Sequence, residues 1–219
     1  TLVLTRKDAE APIEVEMTRE KIDVPSVVLT FEGKDKKIAH LKLMKFGEQT
    51  NGEWEKAIEQ VRSKGARGMV LDVRNNPGGY LNGAISIASE FLARGVVVVQ
   101  QDAKGAKTEM TVTGRARLPN LPVVVLVNGG SASASEILAG ALKDNNRAKI
   151  YGEETFGKGT VQEAQDIDSG SGLHVTTAKW LTPRGTWVNE GGLKPDTEVK
   201  DDPATPEDEQ VQEAVKALE

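Results

Sequence analysis

Residues 122–142 read PVVVLVNGGSASASEILAGAL. The opening PVVVLVN is a short, unbroken run of aliphatic and β-branched residues, which predicts a strand buried on both faces. SEILAGAL is built from good helix formers and predicts a helix running to about Lys143. Between the two, Ser131, Ser133 and Ser135 occupy alternate positions where the strand gives way to the helix. A buried strand feeding a helix is the building unit of an α/β layer.

The same alternation extends outward. Upstream, EWEKAIEQVRSKG (53–65) places Trp54, Ala57, Ile58 and Val61 on one helical face, with Gly65 as a stop. GMVLDV (68–73) reads as a buried strand, RNNPGG (74–79) as a tight turn, and LNGAISIASEFLARG (81–95) as a second helix. VVVVQQ (96–101) and EMTVTG (109–114) read as strands. Strands alternating with helices over residues 38–143 predict an α/β layer with crossover connections.

Further out, SVVLTFE (26–32) and IAHLKLMKF (38–46) are strands separated by a turn at Gly33 and Asp35. LVLT (2–5) and IEVEMT (13–18) form a small hairpin around RKDAEAP, a unit only marginally stable alone. After AKIYG (148–152) comes a glycine-rich passage, GEETFGKGTVQ (152–162), then strands at LHVTTAKWLT (173–182) and TWVNE (186–190). In the tail, Thr205 is the expected helix cap and Pro206 the first helical residue.

Composition narrows the function classes. The 219 residues are 38% apolar and 4% aromatic, with 28 basic against 33 acidic residues, net −5. That balance, without a Lys/Arg cluster, argues against a nucleic-acid surface. The absence of cysteine excludes disulfides, thiolate metal sites and a cysteine nucleophile, and fits an oxidising compartment. No segment approaches the roughly 18 apolar residues of a membrane span. The chain opens on Thr1 without a signal sequence and is expected to be a processed or excised piece.

Ser133 has two readings. Ser133-Ala-Ser-Glu136 is a capping box, in which Ser133 would accept the Glu136 N–H and Glu136 would reach back to the cap. The same helix N-terminus would also stabilise an oxyanion formed beside a nucleophilic serine. His40 and His174 both look like ordinary strand residues, poor candidates for a Ser-His-Asp arrangement, and too isolated for a metal site. Gly152, Gly157 and Lys158 match a phosphate loop until Gly159 replaces the Mg²⁺-binding hydroxyl, and Glu153 and Glu154 would repel phosphate. Lys158 between two glycines is either a solvated turn lysine or a desolvated amine able to take a serine's proton. Gln162 would reach that amine if the segment turned helically; along a flat strand it would lie about 13 Å away. The RNNPGG turn offers glycine N–H groups that, with an amide beside Ser133, would complete an oxyanion hole.

Three long motifs, GMVLDVRNNPGGYL, VVVLVNGGSASASEILAGALKDNNRAKIYGEETFGKGTVQ and LTPRGTWVNEGGLKPDTEV, occur in this order. With them the chain resembles the carboxy-terminal processing proteases, the S41 family of serine peptidases, over most of its length. The resemblance implies Ser133 as nucleophile, Lys158 as general base and Gln162 as its support. It implies oxyanion donors at the backbone N–H groups of Ala134 and Gly78, with Gly79 as the alternative. The implied fold is a ClpP/crotonase-like β-spiral core of the α/β class, over residues 21–200, with an adjoining β-rich part. Residues 1–20 would be the last hairpin of a PDZ module and residues 201–219 a tail helix. No carboxylate-binding loop precedes that hairpin, so PDZ-based capture and gating do not carry over to this chain.

The implied activity is endopeptidase cleavage near protein C-termini, without metal or cofactor and outside the cytoplasm. The implied partners are unfolded peptide C-termini, and the resemblance leaves room for a homo-oligomer. A non-catalytic peptide-binding module of the same fold stays open, as does acyl transfer on coenzyme A thioesters, against which the Ser/Lys pair argues.

Overall fold

The body of the molecule is a mostly parallel sheet whose strands are covered on both faces, seen in a computed structural model that describes every residue except Asp8, Lys21, Asp23, Arg115, Ser169 and Pro203. Along the chain run β1 (Leu2–Leu4), β2 (Ile13–Val15), β3 (Val27–Glu32), β4 (Ile38–Leu43), α1 (Thr50–Ser63), β5 (Gly68–Asp72) and α2 (Leu81–Phe91). They are followed by β6 (Val96–Gln101), β7 (Lys107–Thr111), β8 (Val123–Val127), α3 (Ala134–Asp144) and β9 (Lys149–Gly152). The chain closes with β10 (Thr160–Asp166), β11 (Gly172–Leu181), β12 (Thr197–Glu198) and α4 (Glu209–Lys216).

The six-stranded sheet has the order β12-β9-β8-β5-β4-β3, parallel throughout except for β3 at one edge. Met69 and Leu71 of β5 turn toward a core shared with α1, α2 and α3, whereas Val70 joins Ile38, Val124, Leu126 and Ala214 of α4 on the opposite face. Two covered faces are the reason β5 and β8 read as continuous apolar runs. A second, antiparallel sheet has the order β10-β11-β6-β7, and its Val97 and Val98 enter the core beside α2 and α3. The α/β body with an adjoining β-rich part is as expected.

β1 and β2 pair with each other and leave Leu2, Val3, Leu4 and Ile13 exposed. Asp8, between them in sequence, lies outside the described residues.

Two local expectations fail. TWVNE forms no strand: its backbone serves the Lys158 loop instead, Glu190 N–H donating to Gly157 O at 3.0 Å. The partner of β11 is β10, whose TVQEAQD offers too few apolar residues to read as a strand. In the tail, the cap is Asp208 rather than Thr205, and Pro206 lies outside the helix. Asp208 accepts the Val211 N–H at 2.9 Å and is itself clamped by Arg74, which sets where α4 begins.

Candidate active site

β5 and β8 are parallel neighbours, so their carboxyl ends deliver the turns 74–79 and 128–133 side by side. This is where open parallel sheets place their binding sites. Two asparagines knit the turns together. Asn128 Oδ1 accepts the N–H groups of Asn75 (2.8 Å) and Gly130 (3.0 Å), and its amide donates to Asn75 Oδ1 at 3.1 Å. Gly130 has no room for a side chain, since a Cβ there would lie 2.6 Å from Asn75 Oδ1.

The three serines of this turn divide by environment. Ser131 is buried and donates to Val73 O at 2.8 Å; Ser135 is buried and donates to Asn76 O at 2.9 Å. Both hold the two turns together. Ser133 faces the Glu136 amide in the expected capping-box arrangement without making a cap hydrogen bond, and it opens into a cavity. Its backbone sits at φ 57°, ψ −114°, a conformation that side chains other than glycine rarely adopt and that surrounding contacts must enforce.

Glu136 supplies that enforcement. It is fully buried, and its carboxylate accepts four hydrogen bonds: Ser133 N–H (2.8 Å), Thr155 Oγ1 (2.5 Å), Gly157 N–H (2.8 Å) and Lys158 N–H (2.9 Å). One carboxylate therefore ties the serine turn to the loop that carries Lys158. The same bonds dispose of the phosphate-loop reading, because the amides a phosphate would need already hold a negative charge. Two indoles grip the loop from the other side. Trp180 Nε1 donates to Lys158 O and Trp187 Nε1 to Gly159 O, both at 2.9 Å.

Half-buried Lys158 and exposed Gln162 line the same cavity as Ser133. Gln162 gets there by neither route considered above. It lies on β10, where the register slips between Val161, paired with Ala178, and Gln162, paired with Thr176. In a regular strand Val161 and Gln162 would face opposite ways; this bulge turns both toward the cavity. Among the described residues no hydrogen bond joins the Ser133 hydroxyl, the Lys158 amine and Gln162.

The backbone N–H of Ala134, at the first turn of α3, has no acceptor among the described residues. Gly78 packs against it, a Cβ on Gly78 falling 3.0 Å from Ala134 N, but the Gly78 N–H donates to Asn76 Oδ1 at 2.8 Å. Gly79 differs. Phe46 bonds to Gly78 O and Tyr80 N–H on either side of it, which leaves the Gly79 N–H directed away from Phe46 and without an acceptor among the described residues. Gly79 lines the cavity.

The cavity has a volume of about 310 Å³ and apolar walls from Leu81, Ile137, Val161 and Trp180. His174, read from sequence as an ordinary strand residue, also lines it. Cross-strand parity was the overlooked signal, since His174 lies on the same face of β11 as Thr176, the partner of Gln162. His40 sits elsewhere, bonded to the buried Asp72 at 3.1 Å. Burial pushes the Asp72 carboxyl up, but hydrogen bonds from His40 and Arg74, with the charge of Arg74, hold it well below the usual carboxylate range. A larger cavity, about 490 Å³, lies at the amino ends of β8 and β9, far from these groups in the fold. Of its cations, Arg147 is committed to three backbone carbonyls and Lys143 to Asp196. Among the described residues no cluster of side chains suited to a metal ion occurs, and no helix is long and apolar enough to cross a membrane.

Comparison with known proteins places this geometry in a family. The profile of Peptidase family S41 matches residues 37–199, which include every residue of the cavity. The chain belongs to peptidase family S41. It is 41% identical over 202 residues, 91% of its length, to a probable CtpA-like serine protease of Staphylococcus aureus. It is 40% identical over 183 residues, 84% of its length, to the carboxy-terminal processing protease CtpA of Bacillus subtilis. The chain spans 40% and 39% of the length of those two relatives. Among solved structures, the photosystem II D1 C-terminal processing protease superposes with a TM-score of 0.74 at 34% identity, covering 87% of this chain and 52% of that one. The tricorn protease shares the fold at a TM-score of 0.61 and 17% identity, covering 84% of this chain and 18% of that one. The ClpP-like α/β fold is thus shared with both solved structures.

Proposed function

We propose that this S41 chain is a serine endopeptidase acting near the C-termini of proteins, with Ser133 as nucleophile and Lys158 as general base. The observation that carries this reading is the division of the serines: of three in one turn, only Ser133 donates its hydroxyl to no carbonyl among the described residues, and it opens into the cavity that Lys158 lines. Ser133 Oγ attacks the scissile carbonyl while Lys158 Nζ takes its proton. The oxyanion is received by the N–H groups of Ala134 and Gly79, the latter preferred because the Gly78 N–H is already engaged. Lys158 returns the proton to the departing amine, leaving an acyl-serine, and water then repeats the sequence to release the acid. Gln162, turned inward by the bulge, orients the lysine.

The hairpin β1–β2 is read as the end of a PDZ module, supported by the apolar side chains it leaves exposed. An extracytoplasmic site of action rests on the family resemblance alone.

A second reading, a peptide-binding or assembly module, has one observation in its favour: Ser133 and Lys158 line one cavity without a hydrogen bond between them. Mass spectrometry of an unfolded protein incubated with the chain decides between them. Fragments formed by the wild type and by neither Ser133→Ala nor Lys158→Ala support the peptidase. Undiminished cleavage by either variant refutes the mechanism, and binding without cleavage by the wild type supports the module.

A further inference from the structure

The cavity around Ser133 is charged on one side of the scale only. Among the described residues its titratable lining groups are Lys158, His174 and Tyr80, and no carboxylate lines it. Glu136 lies behind it with both oxygens turned to the Ser133 and Lys158 loops. His174 stands on β11 directly opposite Ala164 of β10, and its parity puts it on the same face as Gln162 and Thr176. It is exposed and engages no ion pair among the described residues. From β10 the nearest like-facing carboxylate is Asp166, two register pairs further out, opposite Gly172; Glu163 and Gln165 turn to the other face. From α2 and α3 the facing groups are Tyr80, Leu81 and Ile137, of which only the phenol titrates.

We propose that His174 makes the outer wall of this cavity a subsite for a carboxylate of the peptide bound there. The inference rests on the peptide-cleaving reading of the same cavity and adds a substrate class to it: peptides that carry an acid beside an apolar residue. The apolar side chain fills the space between Leu81, Ile137, Val161 and Trp180, and the carboxylate meets the imidazole at the rim. An imidazole carries charge only when protonated, so the preference strengthens as pH falls through the histidine range. The carboxylate has two sources, an Asp or Glu side chain and the α-carboxylate of a peptide end.

The test measures binding, so that it stands apart from turnover. Fluorescein-labelled peptides of alanine, valine and leucine are titrated against Ser133→Ala at about pH 5.5 and about pH 8. One peptide is neutral and amidated, one has a free α-carboxylate, and a set carries one glutamate at each internal position in turn. The expected result is binding of an acidic peptide tighter than the neutral one by on the order of fivefold at the lower pH, the scale of a partly exposed ion pair, and near parity at the higher. In Ser133→Ala combined with His174→Gln the preference disappears while the neutral peptide binds as before. Whether the free-end or the glutamate peptides show the effect identifies the source. A preference that survives His174→Gln, or no preference in Ser133→Ala, including one suppressed by Asp166 capturing the imidazole, overturns the proposal. Failure of the wild type to cleave any peptide strikes the peptidase reading and leaves the binding result to judge the subsite.

Discussion

Replacing Glu136 with glutamine asks whether one buried carboxylate keeps nucleophile and base in register. Oε1 accepts Thr155 Oγ1 and Gly157 N–H; Oε2 accepts Ser133 N–H and Lys158 N–H. Glutamine keeps one acceptor oxygen and puts an NH₂ where the other stood. At the Oε2 place that NH₂ would confront two backbone N–H groups. At the Oε1 place it confronts one, because the Thr155 hydroxyl can turn and accept. The second arrangement wins, leaving the Gly157 N–H without a partner and the Ser133 and Lys158 bonds without a charged acceptor. An orphaned amide costs about 1–3 kcal/mol and each weakened bond about 1 kcal/mol, so the variant loses about 3–5 kcal/mol of stability. Part of that loss falls on the alignment of Ser133 with Lys158, and about 2.7 kcal/mol there means about a hundredfold in kcat. Urea denaturation, peptide turnover and amide exchange are measured together. We expect lower stability, kcat reduced on that scale with KM little changed, and faster exchange at Gly157. A kcat within about threefold of wild type would refute the reasoning, as would lost activity with exchange at Gly157 unchanged.

Other outcomes follow from the same geometry. Gly79→Ala would set a Cβ 2.1 Å from Phe46 O at φ +133°, so it should abolish labelling by a serine-directed fluorophosphonate and lower the melting temperature. Gly52→Ala, in α1 with nothing within 4 Å, is its control and should leave labelling intact while stabilising by about 0.5–1 kcal/mol. For Asp208, burial opposes ionisation, but the hydrogen bonds from Arg74 and the Val211 N–H outweigh it and lower the pKa. Stability from that clamp is therefore complete above the unfolded carboxylate value of about 4 and drains away as pH falls below it. Asp208→Asn should make the acid limb of a stability-versus-pH curve shallower, and an unchanged limb would show that the clamp contributes nothing.

How much of this was legible beforehand depends on what kind of signal each element carries. β5, β8 and the α1 stripe of Trp54, Ala57, Ile58 and Val61 read directly, because burial on two faces or one stripe writes itself into hydrophobic periodicity. β10 did not, since Thr160–Asp166 is an exposed edge strand with almost no apolar alternation, and its pairing is decided by β11. The cap of α4 was misplaced for a related reason: Thr205-Pro206 is the better local signal, yet Arg74, 134 residues away, pins Asp208 and starts the helix there.

The site divides in the same way. Sequence alone identified Ser133, Lys158, Gln162 and the paired glycines as the candidate set, because motifs record which residue types a turn and a reaction need. It could not say which of three serines is free, since Ser131 and Ser135 are distinguished only by the carbonyls of Val73 and Asn76 that they meet. Nor could it choose between Gly78 and Gly79, a choice made by the side chain of Asn76 and the backbone of Phe46. It passed over His174, whose place in the cavity depends on strand parity, and it left Gln162 stranded until a one-residue slip in register turned it inward. Local sequence determines which chemical groups are present and the elements that carry them. Which hydroxyls, amides and imidazoles stay unpaired is a property of contacts between segments distant in the chain, and only the tertiary structure decides it.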